Sequence, residues 1–146
     1  MKKDELWEAY RFVNPMIGDT YQAWSFGVEA DELANLVVSG QKCATSSLYV
    51  AYEREKERLP QVSDYNIILN GRGDAVCIVE TIKVSIVPFN EVTEEHAFKE
   101  GEGDRCRKTW RAIHRDFFSK ELEEFGLHFH EGVLVVCEEF RVVYKA

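Results

Sequence analysis

Two runs, one in the middle of the chain and one at its end, restrict the fold most. "AVCIVETIKVSIVPF" (75–89) and "GVLVVCEEFRVVYKA" (132–146) alternate apolar and other residues, as strands with one face against a core do. In the first run Val76, Ile78, Ile82, Val84 and Ile86 share a face with Glu80. In the second, Leu134, Val136, Phe140, Val142 and Tyr144 share one with Glu138. An acid on an apolar face is costly unless it is paired or protonated. One such acid in each strand predicts a polar feature inside, or at the rim of, a small barrel.

The other segments supply helices and shorter strands. Residues 3–13 read as a helix with Leu6, Trp7, Tyr10 and Val13 on one side, ended by Asn14-Pro15, because proline restricts the residue before it and lacks a donor. "TYQAWSFG" reads as a strand closed by Gly27. "EADELANLVVSG" is apolar at helical spacing, with acids in its first turn and Gly40 as its C-terminal cap. A third helix is expected from Ser46 to Leu59, broken by Pro60, followed by a strand in "DYNIILN" and a glycine-rich loop. After Pro88 come two helical segments, "EVTEEHAFKE" and "DRCRKTWRAIHRDFFSKELEEF", on either side of a Gly-Glu-Gly at 101–103. The class is α+β, a small mixed sheet or barrel with helices packed around it. A length of 146 residues is the size of one domain, expected to span 1–146.

Charge narrows the partners. With 26 acidic against 18 basic residues and a net charge of −8, the chain is a poor generic binder of polyanions, whose affinity comes from Lys and Arg neutralising phosphates. A nucleoside-sized ligand remains open. One segment departs from this balance. In "RCRKTWRAIHR", Arg107, Arg111 and Arg115 form a stripe at spacing four if helical, either a solvated face or a phosphate-contacting one. Apolar runs are too short to span a bilayer, and Asp4, Glu5 and Glu8 interrupt what would be the apolar part of a leader. A cytoplasmic chain with no membrane partner is expected. The four cysteines are widely spaced and read as free thiols. Of the histidines, only His128 and His130 are close in sequence, too few for a tetrahedral zinc site, so neither metal nor cofactor is assigned.

Two short stretches could carry chemistry. In "SGQKCATSS" (39–47), Lys42 and Thr45 fall within one turn of chain after Gly40, with Ser46 and Ser47 behind them. They could cap a helix, or be a base beside its nucleophile, which requires a site that lowers the lysine pKa. In "KEGEGD" (99–104), Glu100 or Glu102 could be presented over a barrel mouth, while Asp104 could simply cap the next helix.

The segments "ADELANLVVSGQKCAT", "VCIVETIKVSIVPFNEVTEEHAFKEGEGD", "WRAIHRDFFSKELEEFG" and "VLVVCEEFRVVY" resemble, in order, the ASCH domain family as found in bacterial single-domain proteins. The resemblance runs from about Trp24 to Tyr144. It implies a PUA-like fold, a small mixed β-barrel with surrounding helices, and a cleft that binds RNA or a nucleoside. Short members of that family are amidohydrolases that deacetylate N4-acetylcytidine with a lysine, a threonine and a glutamate. On this chain those roles fall on Lys42, Thr45 and Glu100, with Gly40 in the characteristic glycine position. Other members are described as ribonucleases, a role in which Lys42 would stabilise the charge on a scissile phosphate and Ser119 or Thr45 could assist. The chain differs from the short amidohydrolases in having Ser46-Ser47-Leu48 after the threonine, an added N-terminal helix and a long helix near 104–125.

On this reading neutral Lys42 takes the proton of Thr45, whose oxygen attacks the acyl carbon. Glu100, partly protonated, donates to the leaving amine or positions the base. The geometry expected is a buried Lys42 close to Glu80 or Glu100 and within hydrogen-bond reach of Thr45. Ser46 and the 107, 111, 115 stripe are expected as ligand contacts. Partners are a modified nucleoside or RNA, and the alternative to catalysis is a binding module without chemistry.

Overall fold

The computed structural model describes all residues 1–146. In chain order the elements are α1 (Lys3–Val13), β1 (Gln22–Ser25), α2 (Ala30–Ser39), β2 (Ala44–Leu48), α3 (Tyr49–Glu55), β3 (Tyr65–Leu69), β4 (Ala75–Pro88), α4 (Glu94–Glu100), α5 (Arg107–Glu124) and β5 (Leu134–Lys145), with short 3₁₀ turns at Pro15–Ile17 and Phe89–Glu91. The five strands form one curled sheet in the order β1-β3-β4-β5-β2, a half-barrel. The β1–β3 pair is parallel and the others are antiparallel.

Helices cover both faces of the sheet. Leu6, Trp7 and Tyr10 of α1 pack on Ile67 and Ile78. Ala34 and Val37 of α2 pack on Ile68, Cys77, Val79 and Phe140. A larger core joins Trp110, Phe118 and Leu122 of α5 to Leu48, Phe89 and Val135. Neighbouring Ile67 and Ile68 thus face opposite helices, as the alternation of a strand requires. No helix is long and apolar enough to cross a membrane. All four cysteines are free, and burial pushes the Cys77 and Cys137 thiols up to about 12.

Two expectations change. The segment after Lys42 does not enter a helix at Ser46: Ala44–Leu48 is an edge strand paired with β5, and the helix that follows is only Tyr49–Glu55. Ala44 and Leu48, both fully buried, are four residues apart, a spacing that a helix face and a strand face share. In β4 the shared face is also redistributed: its register with β5 shifts at Ile78/Val79, where the extra residue is Val143 of β5, and at Thr81/Lys83, where the extra residue is Ile82 of β4 and the residues after it change sides. The buried set becomes Ala75, Cys77, Ile78, Val79 and Thr81, while Ile82 is 48% and Ile86 42% exposed. Glu80 leaves the interior and receives two hydrogen bonds from Arg141, at 2.7 and 3.0 Å.

Candidate active site

Lys42 and Glu100 are 58 residues apart in sequence, and backbone hydrogen bonds bring them together. The helix α2 ends at Gly40 with φ 86°, a left-handed turn that suits glycine. The chain then runs beside the end of α4: Cys43 N–H donates to Lys99 O at 2.8 Å, and Gln41 Nε2 donates to Gly101 O at 2.6 Å. Gly101 terminates α4 at φ 72°, and a Cβ there would lie 2.3 Å from Gln41 O. Only glycine permits this approach, and the approach places the Lys42 side chain against Glu100.

Lys42 is 1% exposed. Its Nζ donates to Glu102 Oε2 at 2.8 Å and Ala44 O at 2.9 Å, with Glu100 O at 3.4 Å and Glu100 Oε1 at 3.5 Å, and it lies over the Phe26 ring. Four acceptors use all three protons of an ammonium. Lys42 is therefore an embedded cation that holds two carboxylates.

Glu100, 2% exposed, is ringed by donors. Oε2 accepts from Ser46 Oγ at 2.6 Å, from Trp110 Nε1 and from His96 Nε2 at 3.1 Å; Oε1 faces Lys42 and, at 3.5 Å, His114 Nε2. Burial alone would push this carboxyl up, but the histidine hydrogen bonds and the Lys42 charge hold it well below the usual carboxylate range. The partly protonated, proton-donating Glu100 expected from the sequence is thereby corrected: Glu100 is an ionised anchor.

These groups form the floor of a pocket of about 320 Å³, walled by Trp24, Phe26 and Val28 on one side and Ile113, His114 and Phe117 of α5 on the other. It adjoins a larger cleft of about 690 Å³ lined by Gln22, Thr45, Tyr52, Asn66 and Glu138 among others. Trp24, Thr45 and Ser47 line both. Trp24 is on β1 and Thr45 on β2, the two edges of the sheet, so the double cavity is the open seam of the half-barrel.

The structure brings together Lys42, Ser46, Glu100 and Glu102, with Thr45 on the adjoining wall. It gives Lys42 no hydrogen bond to Thr45, because alternation along β2 turns Ser46 toward Glu100 and Thr45 toward the cleft. Gly40 shapes the turn without lining either cavity. Glu80 lies with Arg141 on another face. The arginine stripe is engaged elsewhere: Arg107 donates to Val92 O and Asn90 O at 2.7 Å each, Arg111 pairs with Glu131, and Arg115 lies over the Phe129 ring. Ser119 follows that stripe away from the pocket. The cap of α5 is Cys106, whose Sγ accepts from Thr109 N–H at 3.5 Å, and not the expected Asp104, which lies two residues earlier and accepts from Cys106 N–H at 3.1 Å and Thr109 Oγ1 at 2.8 Å. Sequence reasoning missed His96, His114, Trp110 and Trp24. The signal present was the spacing: His96 and Glu100, and Trp110 and His114, are i, i+4 pairs on helices that meet.

The ASCH domain family matches residues 22–144, and the chain belongs to that family. It is similar to an ASCH domain from Lactobacillus crispatus JV V101, with 36% identity, coverage of 97% of this chain and 93% of that one, and a TM-score of 0.89. A protein from Enterococcus faecalis V583 shares 34% identity over 97% of this chain and 88% of its own, also at a TM-score of 0.89. An ASCH protein from Zymomonas mobilis, at 13% identity over 83% of this chain and 65% of its own with a TM-score of 0.51, shares the fold. No curated protein matches the chain. The fold is the PUA-like one of ASCH domains, and α1 precedes the matched region.

Proposed function

We propose that this ASCH domain binds a modified pyrimidine nucleoside in the seam and hydrolyses its exocyclic amide, with N4-acetylcytidine as the type substrate. The observation that carries the reading is the fully buried Lys42, held by Glu100 and Glu102 on the floor of a pocket with Thr45 on its wall. A buried ammonium is expensive without a purpose or a partner, and here the partner Glu102 is 29% exposed on a loop at the mouth.

The acyl group displaces Glu102, which leaves with a proton from Lys42. The neutral amine then takes the proton of the Thr45 hydroxyl. The Thr45 oxygen bonds to the acyl carbon, the C–N bond breaks, and Lys42 returns the proton to the leaving amine. Water attacks the acyl-threonine, gives one proton through Lys42 to the Thr45 oxygen, and releases the carboxylic acid. Glu100 stays ionised throughout and keeps Lys42, Ser46 and His114 in place. Incubating the purified protein with N4-acetylcytidine is expected to yield cytidine and acetate, and Lys42→Ala or Thr45→Ala to slow this by about 10²–10⁴-fold. A folded wild-type protein that releases no cytidine overturns the hydrolytic reading.

The occupied state of Lys42, with no bond to Thr45, favours a second reading, a nucleoside-binding domain without chemistry. It predicts cytidine binding with no turnover. An RNA-binding or ribonuclease role has less support, since the arginine stripe is tied to Glu131 and to backbone carbonyls. Cleavage of a labelled oligonucleotide tests it.

A further inference from the structure

We infer that the larger cleft reads the heterocycle, with Asn66 and Glu138 as a specificity-determining pair for a ring that offers a hydrogen-bond acceptor and an N–H donor, as cytosine does. This rests on the nucleoside reading above, and it assigns the two cavities different tasks: the smaller one receives the acyl arm, the larger one the base.

Asn66 is 6% and Glu138 9% exposed, and both line the cleft. Each has one terminal atom satisfied and one free. Asn66 Oδ1 accepts from Trp24 Nε1 at 2.9 Å, and because an indole N–H only donates, this fixes the amide with Nδ2 as the other end. Glu138 Oε2 accepts from Thr81 Oγ1 at 2.6 Å, and Thr81 is fully buried. Asn66 Nδ2 and Glu138 Oε1 have no protein partner, yet neither is sealed from the cavity. Both atoms therefore face the cleft with hydrogen-bonding capacity that a ligand there can use.

The placement suits a ring. Asn66 is on β3 and Glu138 on β5, with β4 between, and the two are offset along the strands, Asn66 lying beside Val79 and Glu138 beside Val84, so they reach the cleft from different ends of its lining. A heterocycle lying along the cleft can meet both side chains, one at each end. Asn66 donates to a ring carbonyl. Glu138 accepts from an exocyclic N–H when ionised and donates to a ring nitrogen when protonated, and cytosine presents those two groups side by side. Burial pushes the Glu138 carboxyl up. Trp24, its Nε1 held by Asn66, stands at the junction of the two cavities as a stacking surface. The lining cation of the cleft, Arg58, is bound to Asp64 at 3.1 Å, and Glu57 and Glu138 add negative charge, so the occupant is an uncharged nucleoside.

The test measures binding, which does not require turnover. Cytidine and the riboside of pyrimidin-2-one, which lacks the exocyclic nitrogen, are titrated calorimetrically into wild type, Glu138→Met and Asn66→Asp, each first checked for cooperative melting. Wild type is expected to favour cytidine by about tenfold. Glu138→Met is expected to bring the ratio close to one. Asn66→Asp, lacking the donor, is expected to weaken both ribosides about tenfold and keep the ratio. Equal wild-type affinities, no cytidine binding, or a ratio unmoved in Glu138→Met overturns the inference. If the ratio behaves as expected while N4-acetylcytidine stays intact, the base-reading cleft stands and the hydrolytic reading falls. Turnover with an unmoved ratio leaves hydrolysis standing and removes the base-reading role of Glu138.

Discussion

Glu100 and Glu138 are both buried carboxyls beside the open seam, Glu100 facing Ser46 of β2 and Glu138 paired across the sheet with Thr45, and they end in opposite conditions. Around Glu100, five side chains from β2, α4, α5 and the Lys42 turn point donors at two oxygens. Around Glu138 there is one, the Thr81 hydroxyl. Desolvation heads the causes at both sites. At Glu100 the donors and the lysine charge outweigh it; at Glu138 they do not, and nearby Asp64 adds to the upward push. Burial does not decide ionisation; the count and charge of the donors do. A saturated carboxylate is a structural anchor, whereas an under-satisfied one is free to meet a ligand.

The largest effect that sharpens this contrast is expected from Glu100→Ala. It removes the acceptor for Ser46, His96, Trp110 and His114 and half the compensation for Lys42. Breaking a buried pair by deleting one partner typically costs about 3–5 kcal/mol, and denaturant unfolding should show a loss of that size. The pH dependence has a definite sign. Since the folded pKa of Glu100 is depressed below the ordinary 4.5, its contribution is full above that value and is lost as pH falls through the folded one. Wild type should lose stability on that acid limb more steeply than the variant. A parallel pair of acid limbs would mean that Glu100 is not the anchor.

Glu138→Gln should act in the other direction and by less. With its pKa raised above 4.5, the wild-type carboxyl adds most to stability below that value, and the contribution shrinks as pH rises through the raised folded pKa. Glutamine has no charge to desolvate and can still accept from Thr81. The variant should therefore match or exceed wild type in melting temperature at neutral pH and lose that relative advantage near pH 4. A variant less stable than wild type at neutral pH would remove the distinction between the two carboxyls.

The sequence made part of this contrast visible. The α1, α2, α4 and α5 segments followed from apolar spacing and caps, and Lys42, Glu100 and Glu138 were singled out because each is a charged residue at a position that should be buried or at a turn. What could not be read was which hydroxyl faces which carboxylate. That depends on β2 being an edge strand, and Ala44 and Leu48 satisfy helix and strand periods alike. Glu80 was expected inside on the same grounds as Glu138, but it lies directly opposite Arg141 of β5 and pairs with that exposed guanidinium, a cross-strand partner that alternation along a single strand does not record. His96 and His114 joined the site because α4 and α5 meet at Trp110, a tertiary fact that no local spacing records.

The smallest effect concerns a charge outside both carboxyl sites. Arg111 pairs with Glu131 and lies 5.1 Å from the centre of the Phe89 ring, and it does not line the pocket that His114 and Phe117 of the same helix wall. Its guanidinium is committed to fixing the turn before β5, where Asn90 N–H donates to Glu131 O at 3.0 Å, and it has no path to a ligand in the seam. Arg111→Ala should leave cytidine affinity unchanged to within about twofold and lower stability by no more than about 1 kcal/mol, the scale of a partly exposed ion pair. The comparison with long RNA is sharper: if the stripe touched phosphates, each lost contact would reduce the slope of log affinity against log salt by about one. An unchanged slope in Arg111→Ala keeps the ligand in the seam, between the anchored carboxylate and the free one; a reduced slope would move the nucleic-acid contact to the outer face of α5.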